Sequence, residues 1–421
     1  MTSCAACTIV SANYFPFART LAESYAKFRP VDAFFILVVD QHCKAIDQAS
    51  TDGRFKVLYV DELDIPDFRS IAFKYDILEL NTNVKPTLLA HLLKSGYQSV
   101  IYFDPDIYIF GGLELLYEQL AKCNVLVTPH ATTPVPDFER PSDQDFSATG
   151  VFNLGFIGVS NTQETQRFLQ WWEQRCLQLA YSDTRTGLFV DQKWVDLAPC
   201  YFDGIRVLKH PGCNVASWNF HERRLRQQSG EYTINGEPLI FFHFSGIDIT
   251  SELQISKNHC KYTLENRPEF APLYQFYRQR VVANGYQEFI SIPYGFGTFS
   301  NGVRINSLAR RVFSIYSAEF SGEDPFDANG RFFAQAKRRH LLSAADPAGK
   351  ISVLNYNPDD IRLKTINALF RTALTILGGA RYTMLMKYLS YISILRNQRD
   401  VLAWKIGSQP TNGMVREQSS Q

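Results

Sequence analysis

The stretch SVIYFDPDIYIF, residues 99–110, decides the fold class and raises the first question of chemistry. Its mostly apolar first half reads as a buried strand, and two carboxylates, Asp104 and Asp106, follow directly. A strand built for burial rarely ends in two negative charges, because removing an unpaired charge from water is costly. Two explanations compete. Asp-Pro-Asp is good turn chemistry, and two neighbouring carboxylates can also hold a divalent metal ion.

Strand and helix patterns alternate on both sides of this stretch. The sequence predicts strands at 8–12, 33–40, 54–63, 125–130 and 150–161, and helices at 18–28, 85–96 and 162–180. Strands and helices that alternate with short connections are typical of an α/β fold with a mostly parallel central sheet flanked by helices. Ligands of such sheets bind beyond the carboxyl ends of the strands. The position of Asp104 and Asp106 therefore favours the metal explanation.

Composition excludes several classes of protein. The 421 residues carry a formal net charge of +1, which argues against a broad nucleic-acid surface. The densest apolar stretch, AFFILVV at 33–39, is too short to span a bilayer. No signal-like segment is evident at the N-terminus, and Cys4 and Cys7 lack a second pair at zinc-finger spacing. We therefore expect a cytoplasmic protein with reduced thiols.

Four more polar motifs follow along the chain. They are Asn153 and Gly155 in FNLGFIGVSN, Asp191-Gln192, Asn214, Trp218 and Asn219 in HPGCNVASWN, and His243 with Gly246 in FFHFSG. Two of them also have a structural explanation: His243 could be a hydrogen-bonded core histidine, and Asp191-Gln192 could cap a helix. A phosphatase of the haloacid dehalogenase type also ends a strand in Asp-x-Asp. That class requires Thr or Val where this chain has Tyr108.

Taken in this order, the motifs resemble those of GT-A type nucleotide-sugar glycosyltransferases, and look most like family 8 and its bacterial relatives. The resemblance covers roughly residues 5–250 and implies a GT-A (Rossmann-like) fold. It implies that Asp104, Asp106 and His243 hold Mn²⁺ or Mg²⁺. It implies that Asp191 and Gln192 line the reacting face, near the anomeric carbon of the donor sugar. The donor would be a nucleotide-sugar, UDP-linked in most of the family, and transfer would retain the anomeric configuration.

The resemblance also implies the residues that bind the donor. They are Ser11, Ala12, Asn13, Lys85, Asn153, Gly155, Asn214, Gly246 and Lys257. Two positions depart from the family pattern. Many relatives have an aspartate near Asn13, and a lysine that grips the phosphates usually follows the H-x-x-G motif sooner than Lys257 does here. Either Lys257 reaches back on a loop or that contact is missing.

Beyond the motifs, the sequence suggests three segments: a catalytic domain at 1–265, an accessory segment at 266–350 and a helical C-terminal extension at 351–421. Two apolar stripes separated by Gly378-Gly379 run through 361–406, which holds eight Lys or Arg against one acid. They either pack on the protein or lie on an anionic membrane at the cytoplasmic face. The expected acceptor is a glycan or a lipid-linked glycan. The alternative function is a non-catalytic module that binds nucleotide-sugars or glycans.

Overall fold

The computed structural model describes residues 3–228, 230–342 and 361–402. They contain fourteen strands, and the bounds of the strands are β1 (Cys4–Val10), β2 (Ala33–Val38), β3 (Lys56–Tyr59), β4 (Ser99–Phe103), β5 (Ile107–Ile109), β6 (Val125–Pro129), β7 (Phe152–Ser160), β8 (Ser182–Asp183), β9 (Leu188–Phe189), β10 (Ile205–Val207), β11 (Leu225–Gln228), β12 (Glu231–Ile234), β13 (Glu237–Pro238) and β14 (Phe241–His243).

The same residues form sixteen α-helical segments. Their bounds are α1 (Phe15–Phe28), α2 (Lys44–Ala49), α3 (Phe68–Lys74), α4 (Ile77–Asn83), α5 (Lys85–Lys94), α6 (Glu114–Leu120), α7 (Asp143–Thr149), α8 (Gln163–Leu179), α9 (Gln192–Val195), α10 (Ala198–Tyr201), α11 (Ala271–Ala283), α12 (Tyr286–Phe289), α13 (Ser307–Tyr316), α14 (Arg331–Arg338), α15 (Ile361–Ser393) and α16 (Arg399–Leu402). The bounds of α15 enclose a break at Gly378, whose φ of 72° and ψ of 162° are not helical.

Seven strands form the central sheet, in the order β10-β6-β7-β4-β1-β2-β3. The pairs β1–β2, β1–β4, β2–β3 and β10–β6 are parallel, and only β7 runs antiparallel to its neighbours. All seven residues of β1 are buried, as a strand covered on both faces requires. The predicted α/β class, with a mostly parallel sheet flanked by helices and a helical C-terminal extension, is confirmed.

A two-stranded antiparallel sheet, β14–β5, carries two of the polar motifs. His243 pairs with Ile107 and Phe242 with Tyr108. Asp104 and Asp106 lie between β4 and β5, at the carboxyl end of β4. The small sheet thereby brings His243 to the edge of the large sheet where the Asp-Pro-Asp segment begins.

The described residues group into two compact units. The first comprises Met1–Ile71 and Ile77–Gly297, and the second comprises Ala72–Asp76 and Thr298–Gln421. All the predicted site residues belong to the first unit. The three-segment division suggested by the sequence stays a prediction. Residues 343–360 and 403–421, which belong to its accessory and C-terminal segments, lie outside the described residues.

Local sequence explains where helix α8 begins and where strand β3 ends. Thr162 caps α8 as predicted, because its Oγ1 accepts a hydrogen bond from the backbone N–H of Thr165 at 3.1 Å. The strand predicted at 54–63 is shorter in the structure. It ends at Tyr59, and a single 3-10 turn over Val60–Leu63 follows, held by a hydrogen bond from Tyr59 N–H to the Glu62 side chain.

Candidate metal centre and active site

Asp104, Asp106 and His243 converge at the carboxyl edge of the central sheet. One ligand atom from each residue lies within 4.8 Å of the other two. Nε2 of His243 is 3.0 Å from Oδ1 of Asp106 and 3.7 Å from Oδ2 of Asp104. The imidazole is buried, whereas the Asp104 side chain stays 28% exposed, so the cluster is open on one side. Two carboxylates and an imidazole nitrogen form a donor set suited to Mn²⁺, and their spacing fits one ion.

The Asp-Pro-Asp segment is also a turn, so the two explanations of this motif are compatible. The backbone N–H of Ile107 donates to the carbonyl of Asp104 at 3.0 Å, which closes a four-residue turn. Two more backbone hydrogen bonds fix the segment: Asp104 N–H donates to Gly155 at 2.7 Å, and Phe244 N–H donates to Asp106 at 2.8 Å. The turn thus holds both carboxylates rigidly toward His243.

Gly155 makes room for the imidazole. A Cβ atom at this position would lie 2.4 Å from Cε1 of His243 and 2.7 Å from its Nδ1, distances that side chains do not tolerate. The bare backbone of the FNLG segment therefore serves the histidine. Its predicted contact with the donor stays a prediction.

The cluster is strongly polarised even without an ion. Burial lowers the pKa of His243, but the charges and hydrogen bond of Asp106, with the charge of Asp104, outweigh burial and raise it. The hydroxyl of Tyr14 feels the same charges: burial first, then Asp106 and Asp104, raise its pKa. A cation placed between the three side chains would relieve this accumulation of negative charge.

A buried lysine stands next to the cluster. Nζ of Lys85 is 2.7 Å from Oδ2 of Asp191, and both side chains are only 2% exposed. The same Nζ donates to the carbonyl of Leu154 at 2.8 Å and lies 4.0 Å from Oδ1 of Asp104. Burial raises the pKa of Asp191, and the charge of Lys85 opposes that rise. Three carboxylates against one ammonium leave the centre with an excess of negative charge that a divalent cation could neutralise.

Asp191 and Gln192 do not act as a helix cap. Asp191 is the residue before α9, but its side chain makes no capping hydrogen bond and pairs with Lys85 instead. The Gln192 amide is engaged at both ends, since Oε1 accepts from Leu154 N–H at 3.0 Å and Nε2 donates to the Thr149 carbonyl at 3.1 Å. Gln192 thereby anchors the backbone beside the site. The predicted catalytic role of both residues stays a prediction.

A buried amide network lies behind the metal centre. Oδ1 of Asn153 accepts from Gly155 N–H at 3.2 Å and from Nδ2 of Asn214 at 3.0 Å. Within the described residues, Oδ1 of Asn214 and the indole N–H of Trp218 are buried without a hydrogen-bond partner. The Trp218 ring meets the His243 ring edge-on at 5.0 Å. Two unsatisfied polar atoms this close to the centre are costly unless a bound molecule uses them.

The residues predicted to contact the nucleotide follow the end of the first strand. Oγ of Ser11 donates to Oδ1 of Asn13 at 2.8 Å, and Ala12 N–H donates to Oδ2 of Asp40 at 3.1 Å. Oδ1 of Asp40 accepts from Gly295 N–H at 2.7 Å. Asp40, the last residue of the strand predicted at 33–40, therefore fixes the end of the first strand, a contact that the sequence pattern does not indicate.

Lys257 lies on a loop whose backbone returns to Gly246 of the H-x-x-G motif. Lys257 N–H donates to the carbonyl of Gly246 at 2.8 Å, so the loop between them closes. Gly246 has a φ of +69°, and a Cβ there would lie 2.6 Å from Oγ of Ser256. Nζ of Lys257 pairs with Asp248 at 3.4 Å and its side chain is 58% exposed. Whether the Lys257 side chain reaches the phosphates or that contact is missing stays a prediction.

Two polar residues of the centre were missed from the sequence. The hydroxyl of Tyr102 donates to Oδ1 of Asp104 at 2.7 Å, and Nε2 of His130 lies 3.3 Å from Nδ2 of Asn153. The Tyr102 contact was detectable, because residues two apart on a strand point to the same face. No pattern in the sequence marks His130, which follows β6 and reaches the centre only through the pairing of β6 with β7.

Comparisons with known proteins find relatives without an assigned activity. No family model matches the sequence. Two uncharacterized proteins of Bacillus subtilis (strain 168), YfnD and YfnF, are similar to it. YfnD is 28% identical over 280 residues, which is 64% of this chain and 86% of YfnD. YfnF is 28% identical over 279 residues, or 65% of this chain and 91% of YfnF.

Solved structures that resemble this chain include glycosyltransferases. A galactosyltransferase, LgtC, in complex with donor and acceptor sugar analogs, has a TM-score of 0.43 and 13% identity, covering 69% of this chain and 97% of LgtC. The glycosyltransferase GlyE of Streptococcus pneumoniae TIGR4 has a TM-score of 0.38 and 13% identity, covering 71% of this chain and 67% of GlyE.

Proposed function

We propose that this chain is a metal-dependent GT-A glycosyltransferase that moves a sugar from a nucleotide-sugar, UDP-linked, to a glycan or lipid-linked acceptor with retention. The observation that supports it best is the convergence of Asp104, Asp106 and His243 at the carboxyl edge of the sheet, with Oδ1 of Asp104 4.0 Å from the ammonium of Lys85. Such an edge is where open α/β sheets bind their ligands. A site of this charge suits a substrate that arrives with a cation.

Asp104, Asp106 and His243 would hold Mn²⁺ or Mg²⁺. When bound, the ion would neutralise the negative charge that develops on the departing diphosphate. Lys85 contributes a fixed positive charge, which Asp191 and the Leu154 carbonyl hold in place. A pre-positioned charge of this kind costs no reorganisation during the reaction. Lys257, on the loop closed by Gly246, is the second candidate for a phosphate contact.

The donor sugar would bind against the amide network. The unsatisfied Oδ1 of Asn214 and indole N–H of Trp218 offer one acceptor and one donor to sugar hydroxyls. Asn153 and Gly155 hold that network against the metal ligands. Asp191 and Gln192 would line the reacting face, where positive charge develops on the anomeric carbon. Ser11, Ala12 and Asn13 would contact the nucleotide.

Helix α15 supports a peripheral place on the cytoplasmic face of an anionic membrane. None of its residues is buried, and apolar side chains such as Leu369, Ile376 and Met384 are 65%, 76% and 70% exposed. Residues 361–402 carry seven Lys or Arg against Asp400 alone. Exposed apolar residues beside basic ones are typical of surfaces that lie on anionic lipid. No helix among the described residues is long and apolar enough to cross a membrane.

The competing function is a non-catalytic module that binds nucleotide-sugars or glycans. The experiment that separates the two is donor hydrolysis: a panel of nucleotide-sugars is incubated with the protein and Mn²⁺, and released nucleoside diphosphate is measured. We expect release with one donor, abolished by chelation and by Asp106→Asn, and retained by the exposed-surface control Asp203→Asn. A donor that stabilises the protein against heat but is never hydrolysed would support the module instead.

A further inference from the structure

A cavity lies in the first unit, and none of the metal-centre residues lines it. It has a volume of about 530 Å³. Its walls come from the end of α1, from β5 and the two glycines after it, from β12 and from α11. A cavity of a few hundred cubic ångströms is large enough for a small ligand. The proposed donor site does not use any of the residues that line it.

Aromatic rings dominate the wall of this cavity. Phe110, Tyr232 and Phe276 all line it and are half-buried, so each keeps surface open to solvent. The Phe110 ring meets Tyr232 at 5.7 Å and 81°, and meets Phe276 at 6.1 Å and 51°. Rings packed at such angles hold each other in place and present differently oriented surfaces.

Polar groups stand at the edge of the same cavity. Lys27 and Glu231 line it and are exposed. Nζ of Lys27 donates to the buried Tyr108 hydroxyl at 2.6 Å and lies 3.7 Å from Oε1 of Glu23. Lys27 and Glu231 are the two charged residues among those that line the cavity and they balance each other, so the lining offers no excess positive charge for a phosphate.

Aromatic faces with a few uncharged or balanced polar groups suit one class of ligand best. A pyranose ring has an apolar C–H face that packs on an aromatic ring and a rim of hydroxyls that need donors and acceptors. A nucleotide would require net positive charge, and a lipid tail would leave the charged edge unsatisfied. A neutral glycan satisfies both parts of the wall.

We propose that this aromatic cavity is a second glycan-binding site, which holds a part of the acceptor away from the reacting end. It rests on the proposed function. Strand β5 joins the two places, because Ile107 and Tyr108 pair with His243 and Phe242 of β14, and Asp106 immediately precedes β5. Acceptor bound on this strand is held by the same rigid element that holds the metal ligands.

The test is glycan binding by the full chain. Neutral tetrasaccharides of glucose, galactose, mannose and N-acetylglucosamine are titrated by saturation-transfer NMR. We expect at least one to bind, and Tyr232→Ala and Phe276→Ala to weaken it about tenfold or more. Phe138→Ala, which removes an aromatic side chain that is 99% exposed elsewhere, should leave binding unchanged. Donor hydrolysis should stay at the wild-type level in all three variants.

The outcomes separate this inference from the proposed function. No donor hydrolysis by the wild type, with glycan binding intact, refutes the transferase but leaves a glycan site. Normal hydrolysis with no tetrasaccharide bound at about 10 mM, or with binding that survives both substitutions, overturns the inference. If sedimentation velocity shows that the wild type is a dimer and that Tyr232→Ala is a monomer, the cavity binds a second copy of the chain and the inference is also wrong. Tyr232→Leu, which keeps the apolar volume but removes the ring, replaces Tyr232→Ala if that variant does not fold.

Discussion

Lys85 and Asp191, separated by more than a hundred residues in sequence, form an ion pair of 2.7 Å in which each side chain is 2% exposed. Lys85 is the first residue of α5 and Asp191 directly precedes α9. Because both charges are removed from water, each depends on the other. The pair therefore links the fold of the first unit to the charge balance of the metal centre, and its variants should affect both.

Breaking this pair should cost stability. We expect Lys85→Met or Asp191→Asn alone to lower the free energy of unfolding by about 3–5 kcal/mol, because each leaves its partner's buried polar group uncompensated. The double variant should recover part of that loss, giving a coupling energy of about 1–3 kcal/mol in urea unfolding. The exposed pair Arg167–Glu164 is the control, with an expected coupling below about 1 kcal/mol. Equal coupling in the two pairs would contradict the buried-pair interpretation.

The metal centre should be separable from the fold. Asp106→Asn relieves the repulsion between the two carboxylates but weakens the hydrogen bond of Asp106 to His243, so we expect the metal-free stability to change little. The same change removes a ligand, so thermal stabilisation by Mn²⁺ should disappear. For a protein that binds Mn²⁺, stabilisation at 100 times the dissociation constant is about 2.7 kcal/mol. If Asp106→Asn and the control Asp203→Asn respond equally to Mn²⁺, the three side chains do not form a metal site.

The histidine should decide which cation is preferred. An imidazole nitrogen suits Mn²⁺ better than Mg²⁺, which prefers oxygen ligands. We expect the wild type to bind Mn²⁺ more tightly than Mg²⁺, and His243→Asp, which supplies an oxygen instead, to narrow the difference. Calorimetric titration of both ions measures it. An unchanged ratio of the two affinities would return His243 to the role of a core histidine.

Contacts between residues that are close in sequence could be predicted, and contacts between remote residues could not. The position of Asp104 and Asp106 at a strand end was predictable, because an apolar strand in an alternating strand-helix pattern ends where the charged residues begin. Tyr102 was within reach, since it shares a strand face with Asp104. The Lys85–Asp191 pair was not predictable, because it depends on how two remote helices are set against each other. The motif Asp191-Gln192 is compatible with a helix cap or a buried charge, and only the tertiary structure distinguishes them.

Buried His130 should make stability depend on pH. Burial lowers its pKa to about 4, from 6.5, and the nearby His243 adds to that effect. The unfolded chain therefore binds a proton more readily between these two values, so stability is full above pH 6.5 and falls as the pH drops toward 4. For this residue alone the loss between pH 7 and pH 5 is about 2 kcal/mol.

Urea unfolding at the two pH values tests this directly. His130→Gln should reduce the difference between pH 7 and pH 5 by about 2 kcal/mol relative to the wild type. His42→Gln is the surface control, because the His42 side chain is 63% exposed. Groups that do not interact with His130 contribute equally to both proteins and cancel in the comparison. A His130→Gln variant that keeps the full wild-type pH dependence would show that His130 takes up a proton without cost.

The exposed helix α15 should bind anionic lipid through specific charges. Arg371, Arg381 and Lys387 are all exposed, and they lie on both sides of the break at Gly378. Each basic residue near an anionic surface contributes about 1 kcal/mol, so replacing the three by Gln should weaken vesicle binding by about a hundredfold at low salt. Wild-type binding should itself fall steeply with salt, since the screening length shrinks to about 10 Å at 0.1 M. Donor hydrolysis should not change, because none of these residues belongs to the first unit.

The apolar contribution of α15 to vesicle binding is tested by the double variant Ile376→Ser with Met384→Ser, which should weaken binding at high and low salt alike. Binding to neutral vesicles that matches binding to anionic ones, or no binding at any salt concentration, would mean that the basic residues of α15 serve only to solvate it.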